Sequence, residues 1–248
     1  MSEELIKRAE DLRERCERSC CVTSTLFLTP AEQYALSKWA SRAAECKMIF
    51  RGGVKGSERN AAFVLPFYMV EEDFDESEFI RCIKVTAGFG QPSHRDYMGA
   101  VLGLGIKREW LGDILVEEGN AHVFCLNTVM EHLLASLDKV GRYGVKTKEI
   151  ALSEAPKPKI QLKEVTFSVM SLRLDAVAAG MFNLSRTSAA AMIAAGEVSL
   201  NYSECLKCDA QIAVGDVISL RGHGKGSLAS IGGQSRKGRT FVTAEIRK

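Results

Sequence analysis

The stretch RLDAVAAGMFNLSRTSAAAMIAAGEVSLN, residues 173–201, constrains the fold of this chain more than any other. Leu174, Val177, Ala178 and Met181 recur at i, i+3, i+4 and i+7, which is one apolar face of a helix. Ser185 is a side-chain cap for a second short helix, with Met192 and Ile193 on its core side. Gly196 suits the left-handed position that ends a helix, and Val198 and Leu200 then alternate as a half-buried strand up to a turn at Asn201-Tyr202. VGDVISL (214–220) adds a Gly-Asp turn and a further strand. Two short helices on a small sheet make a compact module within residues 173–220.

Arg186 stands at the helix end that favours negative charge. A helix start carries unpartnered N–H groups and roughly half a positive charge from the macrodipole. With the hydroxyls of Ser185, Thr187 and Ser188 beside it, this end has donors and no acceptor charge. Two readings follow from the local chemistry: a phosphate socket, or a plain serine cap whose neighbouring arginine points into water.

Charge is unevenly spread. Residues 1–50 carry 8 basic and 8 acidic side chains, 51–158 carry 13 and 16, and 159–248 carry 12 and 7, although the whole chain is only +2. From Arg221 onward, 7 basic side chains face the single Glu245. Such an end either binds a polyanion or is a solvated basic tail. Absence of an apolar run long enough to span a bilayer argues against a membrane helix, and MSEELIKRAE has no apolar core of a secretory signal. The 8 cysteines are scattered through 248 residues, so reduced thiols and a cytoplasmic location are expected.

Upstream, residues 2–21 read as a helix with a modest stripe of Leu5, Leu12 and Cys16. Thr29, Pro30 and Glu32 form a capping-box start for a second helix with Tyr34, Leu36 and Trp39 on its buried side. Residues 59–70 and 78–87 read as strands, 95–106 as a helix, and 112–126 as a hairpin through Glu118-Gly119-Asn120. A helix over 129–141, closed by Gly141, and a strand near 145–150 complete the order. Strand–strand–helix–strand–strand–helix–strand predicts an α+β sheet with helices on one face, of RNA-recognition (RRM-like) or ferredoxin-like type. The predicted organisation is a helical segment 1–47, an α+β domain 48–152, a Pro-bearing linker 153–165 and a C-terminal module 166–248.

The residues 173–201 together with VGDVISLRGHGK resemble an S4 RNA-binding module of the αL type, as found in a ribosomal protein, pseudouridine synthases and tyrosyl-tRNA synthetases. FRGGVKGSERNAAFVLPFY, SHRDYMGAVLGLGIKREWLGDILVEEGNAHVFCL and GGQSRKGRTFVTAEIRK resemble the YlmH family of S4 proteins, from about residue 28 to the end. The resemblance implies an RNA face at Arg173, Ser185, Arg186, Thr187 and Ser188, with the basic residues Arg221, Lys225, Arg236, Lys237 and Arg239 beyond it. His94, Arg95, Lys107 and Arg108 read as a second RNA contact or, for the first two, as helix-start scaffolding. It further implies a cytoplasmic, non-enzymatic factor on the large ribosomal subunit, acting in quality control of stalled translation. Its partners would be large-subunit ribosomal RNA, tRNA (in the stalled complex, peptidyl-tRNA) and a nascent-chain quality-control factor, with no membrane. The alternatives are an enzyme that modifies ribosomal or transfer RNA, and a cell-division adaptor. This chain departs from the S4 pattern at Glu197, at Tyr202 where glycine usually follows asparagine, and at Lys225 where arginine is common.

Other motifs lack their required context. His94-Arg95-Asp96 echoes the kinase catalytic triplet without a glycine-rich loop or Asp-Phe-Gly. GHGKGS (222–227) lacks the P-loop spacing and reads as a flexible glycine loop. Cys205 and Cys208 are one CxxC without a second pair, so no metal is expected. No nucleophile–base pattern or dinucleotide fingerprint is present, so neither catalytic residues nor a cofactor are expected.

Overall fold

The computed structural model describes residues 3–43, 47–158, 162–235 and 238–247. The chain divides into two compact units, Met1–Pro158 and Lys159–Lys248. The division falls inside the predicted linker 153–165. At one end, however, Leu152–Glu154 is a short 3-10 turn and Ala155 is buried in the first unit's core. At the other, a strand of the second unit already begins at Leu162.

The first unit opens with α1 (Glu3–Ser19), β1 (Thr23–Leu28), α2 (Pro30–Ala40), β2 (Met48–Arg51) and β3 (Asn60–Val64). The capping box read from sequence is present: Thr29 accepts from the Glu32 N–H while the Glu32 carboxylate accepts from the Thr29 N–H. The three strands pair antiparallel in the order β1-β3-β2. The segment expected to be purely helical thus contains a strand, TSTLFL, which forms because β3 offers it a ladder. β3, expected in the sheet of the α+β domain, belongs instead to this smaller sheet.

Next come β4 (Ile80–Ala87), α3 (His94–Gly103), β5 (Leu111–Glu117), β6 (Asn120–Leu126), α4 (Asn127–Ser136), β7 (Lys139–Val140) and β8 (Tyr143–Ile150). They build an antiparallel sheet in the order β5-β6-β4-β8-β7. With the two-residue β7 set aside, this β-α-β-β-α-β order is ferredoxin-like. The predicted hairpin is present, with Glu118 and Gly119 at φ 50° and 78°. The last helix is shorter than its apolar pattern: it stops at Ser136, Leu137 is buried at its end, and Gly141 serves the β7–β8 turn. One sheet face packs Ile83, Val85 and Val123 against Tyr97, Val101, Val129 and Leu133 of α3 and α4. Part of the opposite face packs Ile80, Cys82 and Phe124 with Phe27 and Phe63 of the smaller sheet.

The second unit contains β9 (Leu162–Val169), α5 (Leu174–Phe182), α6 (Arg186–Ala194), β10 (Val198–Leu200), β11 (Ser203–Glu204), β12 (Val217–Leu220), β13 (Gly224–Gln234) and β14 (Thr240–Arg247). Its antiparallel sheet runs β11-β10-β12-β13-β14-β9. The glycine-rich loop expected at 222–227 is largely β13, because pairing with both β12 and β14 overrides the poor strand propensity of glycine. Leu174, Val177, Ala178 and Met181 are all buried, as their spacing predicts. Gly180 lets α5 approach β9: a Cβ there would lie 2.2 Å from the Phe167 ring.

Candidate nucleic-acid interface

The centre of the second unit's polar surface is Asp175, in the first turn of α5, a charged residue only 5% exposed. Asn183 ends α5 in the left-handed conformation, and the chain then turns so that α6 starts near the start of α5. This brings Arg186 to Asp175. Asp175 Oδ2 accepts from Arg186 Nε at 3.0 Å and Nη2 at 2.9 Å, and from Arg173 Nη2 at 3.3 Å. Oδ1 accepts from Arg173 Nε at 3.2 Å and from the Ala176 N–H at 2.9 Å. Burial pushes the Asp175 carboxyl up, but the hydrogen bonds from Arg173 and Arg186 outweigh it and hold the pKa below the ordinary carboxylate value.

One buried carboxylate therefore aligns two guanidinium groups. Their side chains remain 36% and 56% exposed for Arg173 and Arg186, so each is held by one edge while others face solvent. A guanidinium has five donors, and such forks suit phosphate oxygens. Beside them, Ser185 caps α6, its Oγ accepting from the Ser188 N–H at 3.0 Å and lying 2.7 Å from Ser188 Oγ. The first turn of α6 has no acidic side chain, and Thr187 and Ser188 are exposed. The structure thus brings Arg173, Ser185, Arg186, Thr187 and Ser188 together. Arg186 points neither freely into water nor wholly at an incoming anion. The clamping role of Asp175 depends on how α5 and α6 pack, which no spacing rule encodes.

The remaining candidates are distributed. Arg221 is exposed after β12. Lys225, on β13, lies over the Tyr202 ring at 4.4 Å. Asn201 and Tyr202 take φ of 50° and 66°, so the tyrosine occupies the left-handed place where glycine is usual. Arg239 donates from Nε to Ser168 Oγ at 3.0 Å and from Nη2 to the Ser168 carbonyl, tying β14 to β9. Arg236 and Lys237 lie outside the described residues. In the first unit, His94, Arg95 and Lys107 are exposed. Arg108 turns inward instead: its Nη1 donates to the carbonyls of Leu111 at 2.7 Å and Gly112 at 2.9 Å, which makes it a brace of the β5 start rather than an outward contact. Asp96 closes a capping box with Ser93, giving the His94-Arg95-Asp96 triplet a structural role at the start of α3. Cys205 and Cys208 direct their thiols to the Lys207 and Ala190 carbonyls.

A family model described as "Putative RNA-binding domain in YlmH" matches residues 70–154, the ferredoxin-like sheet with its approach. The chain is 32% identical over 224 residues to the ribosome-associated protein quality control protein P2 of Bacillus subtilis (strain 168), covering 90% of this chain and 87% of that protein. Among solved structures it is similar to the cell division protein ylmH from Streptococcus pneumoniae, with 24% identity and a TM-score of 0.51 over 62% of this chain and 95% of that one. That last likeness concerns the fold alone.

Proposed function

The chain belongs to the YlmH family, and from that premise we propose that it is a cytoplasmic, non-enzymatic factor that binds RNA of the large ribosomal subunit. In this reading the second unit is an S4 module whose α5–α6 start grips RNA, and the factor acts in rescue of stalled translation, next to peptidyl-tRNA and a nascent-chain quality-control factor. The observation that carries it is the Asp175 clamp, which holds Arg173 and Arg186 aligned beside a helix start with no acidic residue. Preorganised guanidiniums lose less side-chain freedom on meeting phosphate than free ones do. Arg221 and Lys225 extend the positive charge along the strands, with Arg236, Lys237 and Arg239 in the basic C-terminal segment. His94, Arg95 and Lys107 supply a second, weaker set of cations. The bulk of affinity comes from phosphates, so binding falls steeply with salt.

The test is co-sedimentation of the full chain with purified 50S and 30S subunits at low and high salt, for the wild type and for Thr187→Glu. A glutamate in the first turn of α6 favours the helix electrostatically, so this variant folds at least as well as the wild type. It nevertheless sets a negative charge where phosphate would sit. Salt-sensitive movement of the wild type with 50S, lost in Thr187→Glu, is expected. Equal 50S association of the folded variant would remove this face from the interface.

A further inference from the structure

The five-stranded sheet of the first unit has one face under α3 and α4, and its other face is divided. Where Ile80, Cys82 and Phe124 lie, that face is covered by the smaller sheet. Further along the same strands, the side chains of the same parity are Lys84 and Thr86 on β4 and Lys146 and Lys148 on β8, and all four are exposed. Register places Lys84 directly opposite Lys148, and Thr86 opposite Lys146. On the other side of β4, Lys84 faces His122 of β6.

Three lysines thus share one small area, two of them directly across from each other. Like charges in that relation destabilise a sheet. Among the described residues no carboxylate forms an ion pair with any of the three. The cationic field is felt locally: burial, and then Lys84, hold His122 below the ordinary imidazole value, against the opposing pull of Glu117. The segment around this patch is acidic in balance, with 16 acidic against 13 basic side chains over residues 51–158. The lysines are therefore a local concentration of positive charge and not a sample of a basic surface.

We propose that this lysine face, Lys84 with Lys146 and Lys148, is the main RNA contact of the first unit, gripping consecutive backbone phosphates of one strand without reading bases. Lys146 and Lys148 are two residues apart on one strand, roughly 7 Å, the scale of neighbouring phosphates along a nucleic-acid chain. The exposed side chains of this half-face are lysine and threonine, with no aromatic ring for a base to stack on, so the contact is electrostatic and indifferent to sequence. The inference rests on the RNA-binding reading above and assigns to that domain a surface other than the one at His94, Arg95 and Lys107.

The experiment titrates the full chain onto purified 50S subunits and onto protein-free 23S ribosomal RNA over a range of salt. The proteins are the wild type, the triple variant Lys84→Ala/Lys146→Ala/Lys148→Ala, the charge-keeping triple with arginine at the same places, and Thr187→Glu. The alanine triple is expected to bind both probes about tenfold more weakly, with the slope of log affinity against log salt reduced by about 2, as three lost phosphate contacts dictate. It should melt no lower than the wild type, since opposed lysines have been removed, and the arginine triple should bind as the wild type does. An alanine triple with unchanged affinity and slope overturns the proposal while leaving the RNA reading intact. Loss of affinity for 50S alone, with 23S RNA binding unchanged, overturns it in favour of an acidic ribosomal protein. Loss in the arginine triple as well means the sheet and not its charge was disturbed, which also overturns it. A wild type that binds neither probe overturns the RNA reading itself.

Discussion

The starts of α3 and α6 share a capping serine and a first-turn arginine and end up electrostatically opposite. Ser93-His94-Arg95-Asp96 and Ser185-Arg186-Thr187-Ser188 each put a serine at the cap and an arginine in the first turn. In α3, Asp96 closes the box: its carboxylate accepts from the Ser93 N–H and Oγ, each at 2.7 Å, and satisfies the helix start from within. In α6 the matching position is Ser188, which brings no charge, and the balancing carboxylate comes from Asp175 on the neighbouring helix. A helix start that supplies its own anion is finished as a local structure. One that borrows its anion through an arginine still has donors facing outward, and it positions that arginine as a consequence.

The largest separation between the two sites should come from removing the borrowed anion. Asp175→Ala leaves Arg173 and Arg186 without their shared acceptor; both can turn to water, so the loss is set at about 2–3 kcal/mol rather than the full cost of a broken buried pair. Denaturant unfolding of the full chain should show this, together with weaker 50S binding. A variant that keeps wild-type stability would mean the clamp is an exposed pair of small consequence.

Acid separates the two units in a similar way. His122 has its pKa lowered in the folded chain, so the unfolded chain takes up the proton first, and stability falls as pH drops below about 6.5 toward the lowered value. Asp175 is likewise lowered, so its contribution is full above the ordinary carboxylate value near 3.8 and is lost as pH falls through the lowered one. The first unit should therefore loosen first. Both tryptophans, Trp39 and Trp110, lie in it, so their fluorescence midpoint should shift as pH falls below about 6.5. His122→Gln should flatten that dependence; an unchanged profile would show that another group carries it.

The cap serines give a smaller effect and a sharper contrast. Ser93→Ala and Ser185→Ala each remove one side-chain acceptor from a helix start and should each cost about 1 kcal/mol. Only Ser185→Ala should also weaken association with 50S subunits. Equal binding losses in both variants would erase the distinction between a finished and an open helix start.

What the sequence made legible follows the same line between local and borrowed. The Thr29 box, the α5 stripe, the Ser185 cap and the Glu118-Gly119 turn are each specified within a few residues, and each is present. TSTLFL and β13 are strands because neighbours pair with them, and GKGSLASIGGQ carries almost no strand signal by itself. The arginines of the proposed interface were visible as residue types. Their orientation was not, because Asp175 and Arg186 are eleven positions apart and meet only through the packing of two helices. Arg108 shows the reverse: a basic residue in an exposed-looking motif whose guanidinium the β5 start has taken inward. Likewise, the lysine face depends on the register of β4 against β8, two strands separated by more than fifty residues.

The smallest expected effect is the most direct test of the comparison. Arg95 sits in the first turn of α3 with a charge opposed to the helix dipole, as Arg186 does in α6. Unlike Arg186 it is clamped by no carboxylate from another helix among the described residues, so it has little to lose on removal. Arg95→Ala should leave the melting temperature unchanged or slightly raised and change 50S affinity by less than about threefold, the share of one weak phosphate contact over a fourfold salt range. A loss matching that of Thr187→Glu would place α3 beside α6 as an equal RNA contact. The self-contained box at Ser93 would then be no mark of a helix start without a ligand, and the difference between the two starts would lie in stability alone.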